Sequence, residues 1–70
     1  MMVFGFGADG TLLQITRGEE VTIRATAALH PDVEFFIADG SRFVGVVMRI
    51  DPAAPTIDQA RAELTPLASA

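Results

Sequence analysis

Two Asp-Gly dipeptides, Asp9-Gly10 and Asp39-Gly40, each sit between apolar runs, and they constrain the fold more than any other feature of the chain. Asp-Gly between apolar segments is the strongest local hairpin signal, because a two-residue reversal needs residues that tolerate positive φ. Gly18 and His30-Pro31-Asp32 add two further breaks. Between these turns the sequence predicts strands at 2–7, 11–16, 20–29, 33–38 and 42–50. Connections this short force neighbouring strands to be antiparallel, since a parallel pair needs a crossover of a dozen or more residues.

Residues 20–29 carry the clearest pattern. Val21, Ile23, Ala25, Ala27 and Leu29 alternate with Thr22, Arg24, Thr26 and Ala28, the period of a half-buried strand. Val44, Val46, Met48 and Ile50 repeat it. After Asp51 the composition changes. Pro52-Ala53-Ala54-Pro55 cannot join a ladder. Thr56-Ile57-Asp58-Gln59 has the form of a capping box opening a helix at 57–65, with Ile57, Ala60 and Leu64 on one face. Pro66 stops that helix, and the tail 67–70 is expected to fray. The expected fold class is α+β, mainly β. One small domain (1–70) forms a five-stranded antiparallel meander sheet, with the C-terminal helix packed on one face. A small five-stranded β-barrel is the alternative.

Register then sorts the side chains. A two-residue loop at Asp9-Gly10 pairs Phe6 with Leu13 and Phe4 with Ile15; one at Asp39-Gly40 pairs Phe36 with Phe43 and Phe35 with Val44. Val33, Phe35, Ile37, Val44, Val46, Met48 and Ile50 form the core face, joined by Val21, Ile23, Ala25, Ala27 and Leu29 and covered by the helix. The opposite face holds Phe36, Phe43 and Val47, rimmed by Arg24, Glu34 and Arg49. Those six residues are the candidate partner-binding surface, since an apolar patch with a polar rim has the anatomy of an interface. If the sheet closes into a barrel or the tail folds over, the two phenylalanines are core instead. The meander also makes the first and fifth strands its edges, neither guarded by Lys or Pro.

The 70 residues include nine acids and five bases, all the bases being arginine, for a formal charge of −4. That balance argues against direct nucleic-acid binding, which needs a basic face. No apolar run reaches the roughly 20 residues of a membrane span, and the first residues lack the pattern of a signal peptide. With no Cys there is no disulfide framework and no thiolate metal site, and a cytoplasmic setting is the expectation.

Motifs that suggest chemistry dissolve on inspection. Gly5-Phe6-Gly7-Ala8-Asp9-Gly10 spells G-x-G-x-x-G, but a strand follows where phosphate binding needs a helix N-terminus. Gly7-Ala8-Asp9-Gly10-Thr11-Leu12-Leu13 faintly resembles the first motif of haloacid-dehalogenase-type phosphatases. Gly7 replaces the nucleophilic aspartate that the motif requires, and the chain has no lysine to complete such a site. His30 and Asp32 share a loop tip and read as a solvated turn. The expectation is no catalytic residue, no cofactor, no metal and no small-molecule substrate. The chain would bind a larger protein as accessory subunit or inhibitor, in the manner of small acidic phage anti-defence (anti-CRISPR-like) proteins. The alternative is self-association, as in a phage capsid-decoration or assembly component.

Overall fold

The computed structural model describes residues 1–47 and 51–70. It contains an open four-stranded antiparallel sheet in the order β2-β1-β3-β4, with two helices. The strands are β1 (Met2–Phe6), β2 (Leu12–Arg17), β3 (Glu34–Ile37) and the two-residue β4 (Thr65–Pro66); the helices are α1 (Glu20–Ala28) and α2 (Ile57–Glu63). A 3-10 turn, Leu67–Ser69, follows β4.

The first strand is central, not an edge. Met2, Val3, Phe4 and Phe6 are all at most 2% exposed. Their uninterrupted apolar run is what a strand covered on both faces requires. β2 pairs along one side of β1 and β3 along the other. Both are antiparallel to β1, so they run the same way with β1 between them. The segment joining them must therefore cross a face of the sheet, and this overturns the predicted strand at 20–29. Residues Glu20–Ala28 form a helix. The helix turns Ile23 and Ala27, four residues apart, onto the sheet. Val21 and Leu29, predicted as core, stand 72% and 77% exposed. Alanines at 25, 27 and 28 favour the helix locally, and Glu20 accepts from Arg24 Nε at 3.1 Å along its surface.

The Asp9-Gly10 hairpin forms with a different loop. Gly10 N–H donates to Gly7 O and Gly7 N–H to Thr11 O, closing a three-residue loop with Gly10 at φ 83°. Phe6 then faces Leu12, not Leu13. A bulge between Gly5 and Phe6 absorbs the difference, and Phe4 regains Ile15 as predicted.

The predicted strand at 42–50 is absent over its described part. The Asp39-Gly40 turn closes, with Ser41 N–H donating to Ala38 O. The chain then makes further turns, Val44 to Ser41 and Val46 to Phe43, across the sheet. Met48, Arg49 and Ile50 lie outside the described residues. The free side of β3 is taken by β4, which pairs Pro66 with Phe36 and Thr65 with Ile37.

Two packed layers result, one on each face. On the first, Phe4, Phe6, Phe36 and Phe43 form the centre of a cluster capped by Ala60 of α2 and by Leu64 just after it. Phe6 meets Phe36 edge-on at 5.8 Å, and Phe4 meets Phe43 edge-on at 6.3 Å. On the second, Val3 and Phe35 pack against Ile23 of α1 and Leu67. Gly5 makes room here, since a Cβ would lie 2.9 Å from Phe35 Cε1. Strand alternation explains the exchange of roles, because Phe35 and Phe36 point to opposite faces and both faces are covered. The capping box at Thr56 forms in full, with Gln59 N–H donating to Thr56 Oγ1 at 3.2 Å and Thr56 N–H to Gln59 Oε1 at 2.9 Å. The tail predicted to fray is instead docked, with Leu67 4% exposed.

Candidate interaction surface

The six residues proposed from sequence do not form one surface. Phe36 is fully buried and Phe43 is 5% exposed. Both do share a face, but the 39–47 segment and α2 cover it. Val47 is 63% exposed, and Arg49 lies outside the described residues. Glu34 lies at the start of β3 and pairs with Arg61 of α2 at 3.1 Å. Arg24 sits on α1 and donates to the carbonyls of Leu67 at 3.0 Å and Ala70 at 3.4 Å, besides pairing with Glu20. It fastens the C-terminal turn to the helix. The charges read as a rim thus serve two different contacts within the chain.

The other arginines described are also engaged. Arg42 pairs with Glu63 at 3.0 Å and lies over the Phe43 ring at 4.7 Å. Arg17 donates to Val46 O at 2.6 Å and Val44 O at 3.1 Å, tying the loop over the first face to β2. Asp9 caps its own turn. The backbone N–H of Thr11 donates to its carboxylate and, with the Thr11 hydroxyl, holds its pKa below the ordinary aspartate value. Asp39 reaches further, accepting from Met2 N–H at 2.9 Å.

His30 and Asp32 are exposed in a turn closed by Val33 N–H to His30 O. Among the described residues no group of three His, Asp or Glu is placed to hold a metal ion, and none of the buried residues is polar or charged. A shallow groove of about 310 Å³ runs between the C-terminal half of α1, β3 and the 3-10 turn, with Ala27, Phe35 and Leu67 among its walls. Its one cation from α1, Arg24, is already committed to Glu20 and two carbonyls.

The sheet edges differ from each other, and neither matches the predicted pair. β4 is two residues long and contains Pro66, a short, proline-guarded edge. β2 is six residues long, has no Pro or Lys, and lies outermost in the described sheet, beside β1. Its outward groups follow from the ladder. Met1 N donates to Gly18 O and Gly18 N–H to Met1 O, both at 3.0 Å, a reciprocal pair. Antiparallel pairs alternate between bonded and non-bonded. Thr16 and Gln14 therefore turn their backbone groups toward β1, and Arg17 and Ile15 turn theirs away. Met2, opposite Arg17, confirms the phase from the other side: its N–H and C=O go to Asp39 and Ala38. The bulge confines regular geometry to the later part of β2, where Gln14, Ile15, Thr16 and Arg17 face Gly5, Phe4, Val3 and Met2 in order.

No helix among the described residues is long and apolar enough to cross a membrane. Comparison with protein-family models, with curated proteins and with solved structures finds no match to this chain.

Proposed function

We propose that this chain is a non-catalytic protein-binding module whose contact element is the outward side of β2 at Ile15 and Arg17. The supporting observation is the contrast between the two edges. One is two residues long and carries a proline. The other offers the N–H and C=O of Ile15 and Arg17 on a strand with no guard residue. An extended segment of another polypeptide adds to such an edge through main-chain hydrogen bonds, with side-chain contacts setting specificity. Acting as accessory subunit or inhibitor on a larger protein is the role this fits, and a formal charge of −4 favours partners with basic surroundings. Self-association as a structural component is the second reading, since an outermost strand can also take the same strand of a second copy antiparallel.

Ile15→Pro tests the reading. The substitution removes an outward N–H and no bond to β1, so the ladder within the chain survives. Capture of a protein partner in stoichiometric amount by the wild type and not by Ile15→Pro is the expected result, with far-ultraviolet circular dichroism showing both folded. Equal capture by both moves the contact away from β2 and overturns the reading.

A further inference from the structure

The two Asp-Gly turns carry closely matched sequences, Ala8-Asp9-Gly10-Thr11 and Ala38-Asp39-Gly40-Ser41. We infer that Asp39-Gly40 is a site of covalent self-modification, at which the folded chain converts Asp39 to an isoaspartyl residue while Asp9-Gly10 is protected. The reaction needs no co-reactant beyond water. The main-chain nitrogen of Gly40 attacks Cγ of Asp39, a nitrogen–Cγ bond forms, and the carboxyl hydroxyl leaves as water with the amide proton. Water then opens the five-membered succinimide. Addition at Cγ restores aspartate. Addition at the main-chain carbonyl carbon breaks its bond to nitrogen, so the chain runs through Cβ and Cγ and carries a free α-carboxylate. The overall mass is unchanged.

Both aspartates are exposed, so access to water does not separate them. Their glycine nitrogens do. At the first turn Gly10 N–H donates to Gly7 O at 2.9 Å and closes the loop. Turning that nitrogen toward the side chain breaks the closure. The Asp9 carboxylate is also held, by Thr11 N–H at 2.9 Å, and Thr11 favours its charged form, the poor electrophile. At the second turn the closing donor is Ser41 N–H, to Ala38 O. Gly40 sits inside the turn, and its N–H makes no hydrogen bond among the described residues. Nothing lies within 4 Å of a Cβ placed at Gly40, whereas at Gly10 Ile57 Cγ2 lies at 3.1 Å. The 39–40 peptide plane therefore has room to rotate. The Asp39 side chain is 51% exposed, with Oδ2 3.9 Å from the Met1 ammonium, and ring closure costs it the bond from Met2 N–H. The change reaches the sheet. It adds a methylene to the main chain between Ala38 and Ser41 and takes the carboxylate off Met2, where Ala38 N–H also donates to Met2 O at 2.8 Å. The end of the β1–β3 ladder loosens.

The test incubates the full chain folded and, in parallel, unfolded in urea. Peptide mapping with electron-transfer fragmentation locates isoaspartate, and an isoaspartyl methyltransferase with S-adenosylmethionine counts it. In urea the two sites should react at similar rates, because their neighbours match. In the folded chain Asp39 should react about tenfold faster than Asp9, the effect of an additional hydrogen bond to break at the first turn. Gly40→Ala should slow Asp39, since a methyl group then crowds the attacking nitrogen. That substitution also weakens the turn, and a looser fold speeds the reaction, so slowing does not arise from unfolding. Equal rates in the folded chain, faster reaction at Asp9, or an inert Asp39 beside a reactive urea sample overturns the inference. A Gly40→Ala rate equal to the wild type's removes the Gly40 nitrogen from the reaction and overturns it as well.

Discussion

At Asp9-Gly10 the chain doubles back and pairs with itself, whereas at Asp39-Gly40 it turns as sharply and forms no return strand among the described residues. The local chemistry is nearly the same, with Gly10 at φ 83° and Gly40 at φ 75°. What differs is the use made of each aspartate and of the strand behind it. Asp9 bonds to Thr11, two residues away, and its turn is a local structure. Asp39 bonds to Met2, 37 residues away, and its turn fastens the end of β3 to the start of β1. Behind the first turn, β1 has a free side for β2. Behind the second, β3 has one side on β1 and the other on β4. An Asp-Gly turn reverses the chain, and an available edge decides whether a hairpin follows.

If the segment after the second turn is core, Phe43→Ala costs about 3–5 kcal/mol, as for any buried aromatic. Phe43 belongs to no regular element, but it packs edge-on against Phe4 and is 5% exposed. Urea denaturation followed by circular dichroism measures this, and a loss under 1 kcal/mol would mean that the 39–47 segment is a loose flap.

The two glycines separate the turns next. Alanine at either position meets the left-handed penalty of about 1–2 kcal/mol. A Cβ at Gly10 also lies 3.1 Å from Ile57 Cγ2, whereas at Gly40 nothing lies within 4 Å. Gly10→Ala should therefore destabilise by about 2–3 kcal/mol and Gly40→Ala by about 1. Equal losses would show that α2 does not press on the first turn.

Asp39→Ala leaves a part-buried Met2 N–H without its acceptor, a loss of about 1–2 kcal/mol. Hydrogen exchange should show faster opening at Met2 and Ala38, at the end of the β1–β3 ladder. Unchanged exchange there would make the second turn as local as the first.

The smallest effect is at Asp9. Its carboxyl is depressed by the Thr11 N–H and hydroxyl, so its contribution to stability is present above the unfolded pKa and is lost as pH falls through the folded one. Below about pH 4 the wild type should lose stability slightly faster than Asp9→Asn. Chemical denaturation at stepped pH reads the difference, and parallel curves would remove the carboxylate from the turn.

Much of the chain could be read without its structure where the signal is local. The capping box at Thr56 and Gln59, the apolar face Ile57, Ala60 and Leu64, and the positions of β1, β2 and β3 depend on neighbours a few residues away. Residues 20–29 misled because two periods fit them. Val21 to Leu29 alternate as a strand, while Ile23 and Ala27 also satisfy a helix. The candidate surface misled because exposure of Phe36 and Phe43 depends on what lies over them, which no strand pattern encodes. The outermost place of β2 was hidden because the meander order made the first strand an edge.

The sequence by itself determined the turns, the capped helix, the four-phenylalanine wealth of β1 and β3, and an ionisable inventory with no lysine or cysteine. These follow from backbone sterics, short-range hydrogen bonds and residue chemistry. Only the tertiary structure decided that β1 is central, that 20–28 crosses a face as a helix, that both faces are covered, and that β2 is outermost in the described sheet. Those outcomes turn on which of two available edges each strand takes. That choice is settled by burying Phe4, Phe6, Phe36 and Phe43 together on one side and Val3 and Phe35 on the other.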